Sequence, residues 1–295
     1  MRIFLTGSTG FVGSQVAQEL INGGHQVLGV TRSEAGAEKL ATLGIEAYRG
    51  DLNQPESLQR GAAECDGVIH TAFDHDFSNF VANCEKDRRV ILALGDALAG
   101  SQRPLIITSG VAIGADAGGL RAHEDNFNPD YPHPRIASEL AGNVLLQRGL
   151  NVMTLRLAQI HNPQKQGLVT EVIRVARSSG ISAWVGNGDN PWSAAGLSDT
   201  ARLYRLALEK GQPGARYNAV AEEAISFKDI ALAIGERLGL PGVSLTAEQA
   251  TAHFGWMANF VTADMSADSA RTRQRLQWQP TGPGLLQDLA RLEVD

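Results

Sequence analysis

Short apolar runs alternate with stretches of helical period through the first half of the chain. Ile3, Phe4 and Leu5 give residues 2–5 the character of a buried strand, and Val12, Val16, Ala17, Leu20 and Ile21 then recur at helical spacing. Val27, Leu28 and Val30, after the Gly23-Gly24 break, predict a second strand over 25–31. A helix over 35–43 is ended by Gly44, and a third strand follows over 45–48. Gly50-Asp51-Leu52 marks its end, before a short helix that begins within 53–56. Val68, Ile69 and His70 close a fourth strand. Residues 77–99 are mostly helical, with Phe80, Val81, Cys84, Val90, Ile91, Leu94 and Leu98 available to cover a sheet face. A fifth strand over 105–108 has Ser109-Gly110 at its carboxyl end; a helix over 136–147 and a sixth strand over 152–157 follow.

This alternation predicts an α/β, Rossmann-type doubly wound parallel sheet. Ligands of such sheets sit outside the carboxyl ends of the strands, a rim that here takes in residues 6–13, Arg32, Asp51, Ala72, Ser109 and the stretch after Leu157. From His161 onward the pattern is less regular. Helices are expected over 168–177, 200–208 (started by Asp199), 226–238 (capped by Ser226), 246–256 and 269–276, and strands over 183–185 and 215–218. The expected organisation is a dinucleotide-binding domain over 1–160 and a smaller C-terminal substrate lobe over 161–295, some of whose segments return to the first domain.

Composition narrows the function classes. Hydrophobic residues are 43% and charged residues 20% of 295, an ordinary globular balance, and a net charge of -6 without a basic block gives no support to nucleic-acid binding. Cys65 and Cys84 are the two cysteines, which suits a reducing compartment and offers no zinc spacing, so no metal is expected. The first strand starts at the N-terminus, leaving no signal peptide, and no apolar run reaches membrane-spanning length; a cytoplasmic protein without membrane contact is the expectation.

Gly7, Gly10 and Gly13 lie between the first strand and the first helix, the context in which a glycine motif reads as a dinucleotide site. Gly7 can make the turn, Gly10 can let the backbone approach a pyrophosphate, and Gly13 can allow close packing of helix on strand. The diphosphate would then meet the free N–H groups of the helix start.

Thr6-Gly7-Ser8-Thr9-Gly10-Phe11-Val12-Gly13 has the TGxxGxxG form; Asp51-Leu52, His70-Thr71-Ala72, Thr108-Ser109-Gly110 and Arg156-Leu157 follow in order. Asn162 stands where a glycine is common, and Gly186-Asn187-Gly188-Asp189, Trp192, Asp199 and Leu276-Gln277-Trp278-Gln279-Pro280-Thr281 complete the series. Over nearly its whole length the chain thus resembles the extended or atypical short-chain dehydrogenase/reductase superfamily, in its NAD(P)-dependent epimerase/dehydratase-like branch. The motifs are specific for the superfamily and weak for the substrate.

Arg32, at the end of the second strand, occupies the place where an acid would meet the ribose of NAD; a positive side chain there attracts a 2′-phosphate, with Thr31 and Ser33 able to add hydrogen bonds. NADP(H) is therefore expected, NADPH in preference to NADH. Its other use is a solvent-facing strand end. The expected cofactor set is Gly7, Thr9, Gly10, Phe11, Val12, Gly13, Arg32, Asp51, Leu52, Ala72, Phe73 and Arg135. Within it the resemblance places Asp51 and Leu52 near the adenine and Ala72 and Phe73 at the nicotinamide side; an acidic turn and a core phenylalanine are the plainer uses.

The resemblance also implies a Ser that positions the substrate oxygen, a Tyr that exchanges the proton, and a Lys that binds the ribose and lowers the Tyr pKa. Ser109 matches the first, and Tyr131-Pro132-His133-Pro134-Arg135 reads as YxxxR, with Arg135 in the place of the lysine. Arginine can bind ribose hydroxyls and stabilise a tyrosinate, with a different reach. A helix that began near Pro132 would hold both prolines in its first turn, leaving Tyr131 at the cap; a loop or packing role for Tyr131 is the alternative. Ser109, His123, Tyr131, Asn162, Trp184 and Trp192 are the candidate substrate contacts, against loop or core roles for each. Trp256, Met257 and Phe260 offer another apolar wall.

The resulting expectation is an NADPH-dependent oxidoreductase, a carbonyl reductase or alcohol dehydrogenase, acting on a small to medium organic carbonyl or alcohol. The alternatives are an NAD(P)-dependent epimerase/dehydratase and a non-catalytic NADP(H)-binding regulatory protein, the latter kept open by Arg135. A homodimer is an expectation of the resemblance, through the helices at 77–99 and 136–149, which can equally cover the sheet.

Overall fold

Successive side chains of a strand face opposite sides of a sheet, so a strand covered by helices on both sides must be apolar at every position. Strand β1 (Arg2–Thr6) shows this: Ile3 and Leu5 enter one core, Phe4 enters another, and all three are fully buried. The computed structural model describes residues 1–115, Gly118 and residues 121–293. After β1 come α1 (Phe11–Asn22), β2 (Gln26–Thr31), α2 (Glu34–Thr42), β3 (Glu46–Arg49), α3 (Glu56–Ala63), β4 (Gly67–His70), α4 (Phe80–Ala97), β5 (Leu105–Gly110), α5 (Ile136–Gln147) and β6 (Val152–Leu157).

The remaining elements are β7 (Gln159–His161), α6 (Val169–Ser179), β8 (Ser182–Val185), β9 (Pro191–Gly196), α7 (Leu197–Lys210), β10 (Arg216–Ala219), β11 (Glu222–Ser226), α8 (Phe227–Leu238), β12 (Gly242–Leu245), α9 (Ala247–Phe254), α10 (Ala258–Val261), α11 (Ala270–Leu276) and α12 (Leu285–Ala290). Seven parallel strands form the central sheet in the order β10-β6-β5-β4-β1-β2-β3. The sheet is Rossmann-like, and its order reverses between β1 and β4, where ligands of open α/β sheets bind.

One side of the sheet is covered by α1 and α7, whose Val16, Leu20, Leu203 and Tyr204 join Ile3, Leu5 and Ile106. On the other side α3, α4 and α5 bring Leu58, Ile91, Leu94 and Leu145 against Phe4, Val68 and Ile107. A third core lies in the C-terminal half, where α6, α8 and α9 enclose Trp192, Phe227, Phe254 and Met257. Two small sheets, β11-β9-β7 and β12-β8, belong to this half. The C-terminal half also supplies α7 and β10 to the central sheet, and Trp278 to its core.

Several boundaries differ from expectation. Strand β5 continues through Ser109 to Gly110 because it pairs with β6 over its full length, Gly110 opposite Leu157. Residues 77–79 form a 3-10 turn ahead of α4. Helix α7 begins at Leu197, so Asp199 lies inside its first turn rather than starting it. Among the described residues no helix is long and apolar enough to cross a membrane.

Candidate active site

Gly7 turns the chain out of β1 with a φ of 71°, and a Cβ there would stand 2.7 Å from Thr71 Oγ1 and 2.8 Å from the Ala72 nitrogen. Gly13 lies so close under the turn that its Cβ would stand 2.1 Å from the Gly7 carbonyl oxygen. Gly10 caps α1 without a side chain, and no acid occupies the first turn. The helix therefore begins with N–H groups that no side chain satisfies, as anion binding requires. Two lysines add positive charge here: Lys39 Nζ donates to the Thr9 carbonyl at 3.1 Å, and Lys165 Nζ lies 5.7 Å from the centre of the Phe11 ring. A dinucleotide diphosphate fits this cradle. Val12 is half-buried behind it, packed against the core.

Beyond the carboxyl ends of β2 and β3 opens a depression of about 240 Å³ lined by Thr31, Arg32, Arg49, Gly50, Asp51, Gln54 and Ser57. Arg32 is exposed, while Arg49 is held by an ion pair to Glu34. Ser33 is occupied: its hydroxyl caps α2 by accepting from the Gly36 N–H at 3.1 Å. Asp51 Oδ1 closes a turn, accepting from the Asn53 N–H at 2.9 Å, and Leu52 packs against the sheet.

At the switch point a chain of buried polar contacts runs from the glycine turn to Arg135. Thr6 Oγ1 bonds His70 Nδ1 at 2.7 Å, and His70 Nε2 donates to Asp87 Oδ1 at 2.9 Å. Asp87 Oδ2 accepts from Arg135 Nη1 at 2.7 Å and from Ser138 Oγ at 2.6 Å. Arg135 Nη2 donates to the Thr108 carbonyl at 2.9 Å, and its guanidinium lies 4.0 Å from the centre of the Phe73 ring. Burial, the largest single influence on Asp87, pushes its carboxyl up; the Arg135 charge and the bonds from His70 and Ser138 together outweigh it and bring the pKa down to about 2.

Helix α5 begins at Ile136, not near Pro132, so Pro132 and Pro134 stand in the turn before it and Arg135 occupies the cap position. Tyr131 is consequently half-buried ahead of the helix rather than one helical turn from Arg135. Burial alone pushes the Tyr131 phenol up, in contrast to the lowered pKa that a neighbouring cation was expected to produce. His133 lies closer to the arginine: burial and then the Arg135 charge lower its pKa, and its Nδ1 accepts from the Arg135 N–H at 3.2 Å.

Thr108 faces α7, where its hydroxyl meets Tyr204 at 2.6 Å. By strand alternation Ser109 faces the α4 and α5 side, toward the layer that carries Asp87 and Arg135. Its hydroxyl is buried and has no hydrogen-bond partner among the described residues. An unsatisfied buried hydroxyl is costly unless a ligand completes it. Ala72, at the mouth of β4, donates its N–H to Thr6 Oγ1 at 3.3 Å.

Other expected substrate contacts are spent elsewhere. Trp192 is wholly buried against Phe227 in the C-terminal core, at 4.9 Å between ring centres. Trp184 is half-buried beside Lys228, 5.5 Å from the ring centre, and supports the same core. Asn162 Oδ1 closes a turn by accepting from the N–H groups of Gln164 at 3.0 Å and Lys165 at 2.8 Å, which explains a non-glycine residue there. His123 is exposed and bound through Nδ1 to Asp268. Asp87 and Ser138 are the site residues that sequence reasoning passed over. Asp87 carried a signal, a lone acid among the apolar positions Cys84, Ile91 and Leu94 of one helix.

The profile of the NAD dependent epimerase/dehydratase family matches residues 3–219. An uncharacterized protein of Schizosaccharomyces pombe is 44% identical over 291 residues, 98% of each chain. A 2-alkyl-3-oxoalkanoate reductase of Stenotrophomonas maltophilia is 30% identical over 231 residues, 73% of this chain and 67% of that one. The solved structure of a UDP-glucose 4-epimerase of Thermotoga maritima, with UDP-glucose, shares the fold at a TM-score of 0.75 and 20% identity, covering 99% of this chain and 97% of the other. With the glycine cradle, the switch-point site and the family profile in agreement, the chain belongs to the NAD dependent epimerase/dehydratase family of the extended short-chain dehydrogenase/reductase superfamily, whose members bind an NAD(P) nucleotide.

Proposed function

We propose that the protein is an NADPH-dependent oxidoreductase that reduces a small or medium organic carbonyl and, in reverse, oxidises the alcohol. The observation that carries this reading is the buried, unpartnered Ser109 hydroxyl on the strand whose Thr108 carbonyl anchors Arg135. NADPH, when bound, supplies the hydride. Ser109 donates a hydrogen bond to the substrate oxygen and fixes its position. The Tyr131 phenol passes its proton to that oxygen as negative charge develops. Arg135 uses Nη1 and one Nη2 hydrogen on Asp87, Ser138 and Thr108, leaving Nε and the other Nη2 hydrogen for ribose hydroxyls. Arg32, exposed on the depression beyond β2, suits a 2′-phosphate and favours NADPH over NADH.

Reductases among the relatives support the reading. A second one, a cofactor-binding regulatory protein, is favoured by the place of Tyr131 outside α5. Fluorescence titration with NADPH and NADH, followed by a carbonyl panel read as cofactor oxidation, separates them. The expected result is NADPH preference and turnover reduced about 10²- to 10⁴-fold in Tyr131→Phe. Tight NADPH binding with no turnover would favour regulation, and turnover without net cofactor oxidation would favour the epimerase/dehydratase alternative. Failure to bind either cofactor would sink the reading.

A further inference from the structure

A line of aromatic rings leads from Arg135 to the surface. The Phe73 ring, over the guanidinium, meets Phe80 at 6.1 Å between ring centres, and Phe80 meets Phe77 at 5.7 Å. Phe77 then stacks on Trp256 at 5.0 Å with 19° between the planes, and Phe260 supports the indole edge-on at 5.9 Å. Phe77 belongs to the segment after β4, whereas Trp256 belongs to the 3-10 turn after α9, almost 180 residues later in the chain. Gly255, at a φ of 55°, makes the turn that presents Trp256.

The stack spans the two halves of the molecule at the outer end of a line that starts on the candidate catalytic arginine. Despite their contact, Phe77 is 37% and Trp256 44% exposed, so a ligand can reach the stack from solvent. His133 lies edge-on to Phe80 at 5.6 Å, and His75 lies edge-on to both Phe73 at 5.4 Å and Phe77 at 6.1 Å, so two imidazoles flank the line of rings.

We propose that Phe77 and Trp256 form an aromatic latch at the mouth of the site and select flat, conjugated carbonyl compounds over aliphatic ones. This rests on the reductase reading above. A flat substrate entering along the line exchanges the Phe77–Trp256 stack for stacks on its own faces, so the rings lose no partner. An aliphatic ring fills the space but gives a poorer stack.

The test compares 2-naphthaldehyde with cyclohexanecarbaldehyde as NADPH-linked substrates for the full chain and for Phe77→Ala, Trp256→Ala and Trp256→Phe. The native protein should prefer the naphthaldehyde, the difference lying in KM. Each alanine variant should shrink that preference by about three- to tenfold, while Trp256→Phe keeps most of it. An unchanged Kd for NADPH in each variant shows that the fold and cofactor site survive. No preference in the native protein, or a preference untouched by both alanine substitutions, overturns the latch. Should neither aldehyde turn over, equilibrium binding of 2-naphthaldehyde to the protein with NADP⁺ decides. Binding weakened by Trp256→Ala keeps the latch, with the carbonyl panel left to judge the reductase reading; binding equal in all variants overturns the latch.

Discussion

Arg135 carries its charge on a side chain that Asp87 holds from inside the protein. The pair is enclosed, with 12% of the arginine and 2% of the aspartate side chain exposed, so each charge depends on the other to offset its lost hydration. His70 and Ser138 supply the remaining bonds, and Thr6 ties the histidine to the glycine turn. Asp87→Asn should therefore cost about 3 kcal/mol at pH 7, since it leaves a largely buried cation without its counter-charge. The effect has a pH signature. Asp87 has a folded pKa of about 2 against an ordinary 3.8, so its stabilisation is present above the ordinary value and is lost as the pH falls through the folded one. Urea unfolding from pH 5 down to pH 2 should cost the native protein about 2 kcal/mol more than the variant. Equal slopes for the two proteins would show that the pair does not behave as a buried ion pair. Ser109 and the glycines of the turn were legible because their places follow from the strand and helix around them. Asp87 was not, because its partner is 48 residues away and an acid on a helix ordinarily faces water.

Elements whose sequence period and tertiary environment agree were the legible ones. Helix α5 and strand β6 occupy the expected 136–147 and 152–157, the helix with one buried face and the strand buried through Arg156. Strands β7, β9, β11 and β12 escaped notice because they are short or rich in small and polar residues, such as Pro191–Gly196, and are fixed by partners far along the chain. The turn from β1 to α1 is the element on which the candidate site most depends, and its tolerance can be measured. Gly13→Ala would bring a Cβ to 2.1 Å from the Gly7 oxygen and 2.6 Å from its carbon, both backbone atoms that cannot swing away. Helix α1 must then move off the turn, which should cost about 1–3 kcal/mol and weaken NADPH binding at least about tenfold. Gly110→Ala is the comparison: its Cβ meets nothing within 4 Å, so stability should change by less than about 0.5 kcal/mol. Calorimetry and NADPH titration of both variants check this. A Gly13→Ala protein that binds NADPH normally would show that the cofactor does not rest on this cradle.

The C-terminal half reaches back to the central sheet through Asp199. From the first turn of α7 its carboxylate accepts the Thr281 N–H at 3.1 Å and the Gly282 N–H at 2.8 Å, and it also pairs with Arg202. Its backbone carbonyl separately accepts Trp278 Nε1 at 2.9 Å. One residue thus pins the chain at two points by different atoms, on the way to α12, whose Leu285 and Leu289 enter the C-terminal core. A pattern search marks Asp199 as a helix starter; only the folded chain brings residues 281 and 282 to it, so the clasp was illegible in the sequence. Asp199→Ala removes the carboxylate bonds and leaves the carbonyl bond in place. It should lower stability by about 1–2 kcal/mol, because two backbone donors lose a charged acceptor, while the exposed Thr281 and Gly282 can turn to water. The loss should be local first. Hydrogen exchange should accelerate at Thr281 and Gly282, while Trp278, fully buried and still bound to the carbonyl, keeps its protection and its emission. Simultaneous loss at Trp278 would mean that α7 and the C-terminal segment unfold as one unit, and that the carboxylate organises the helix start as well as the clasp.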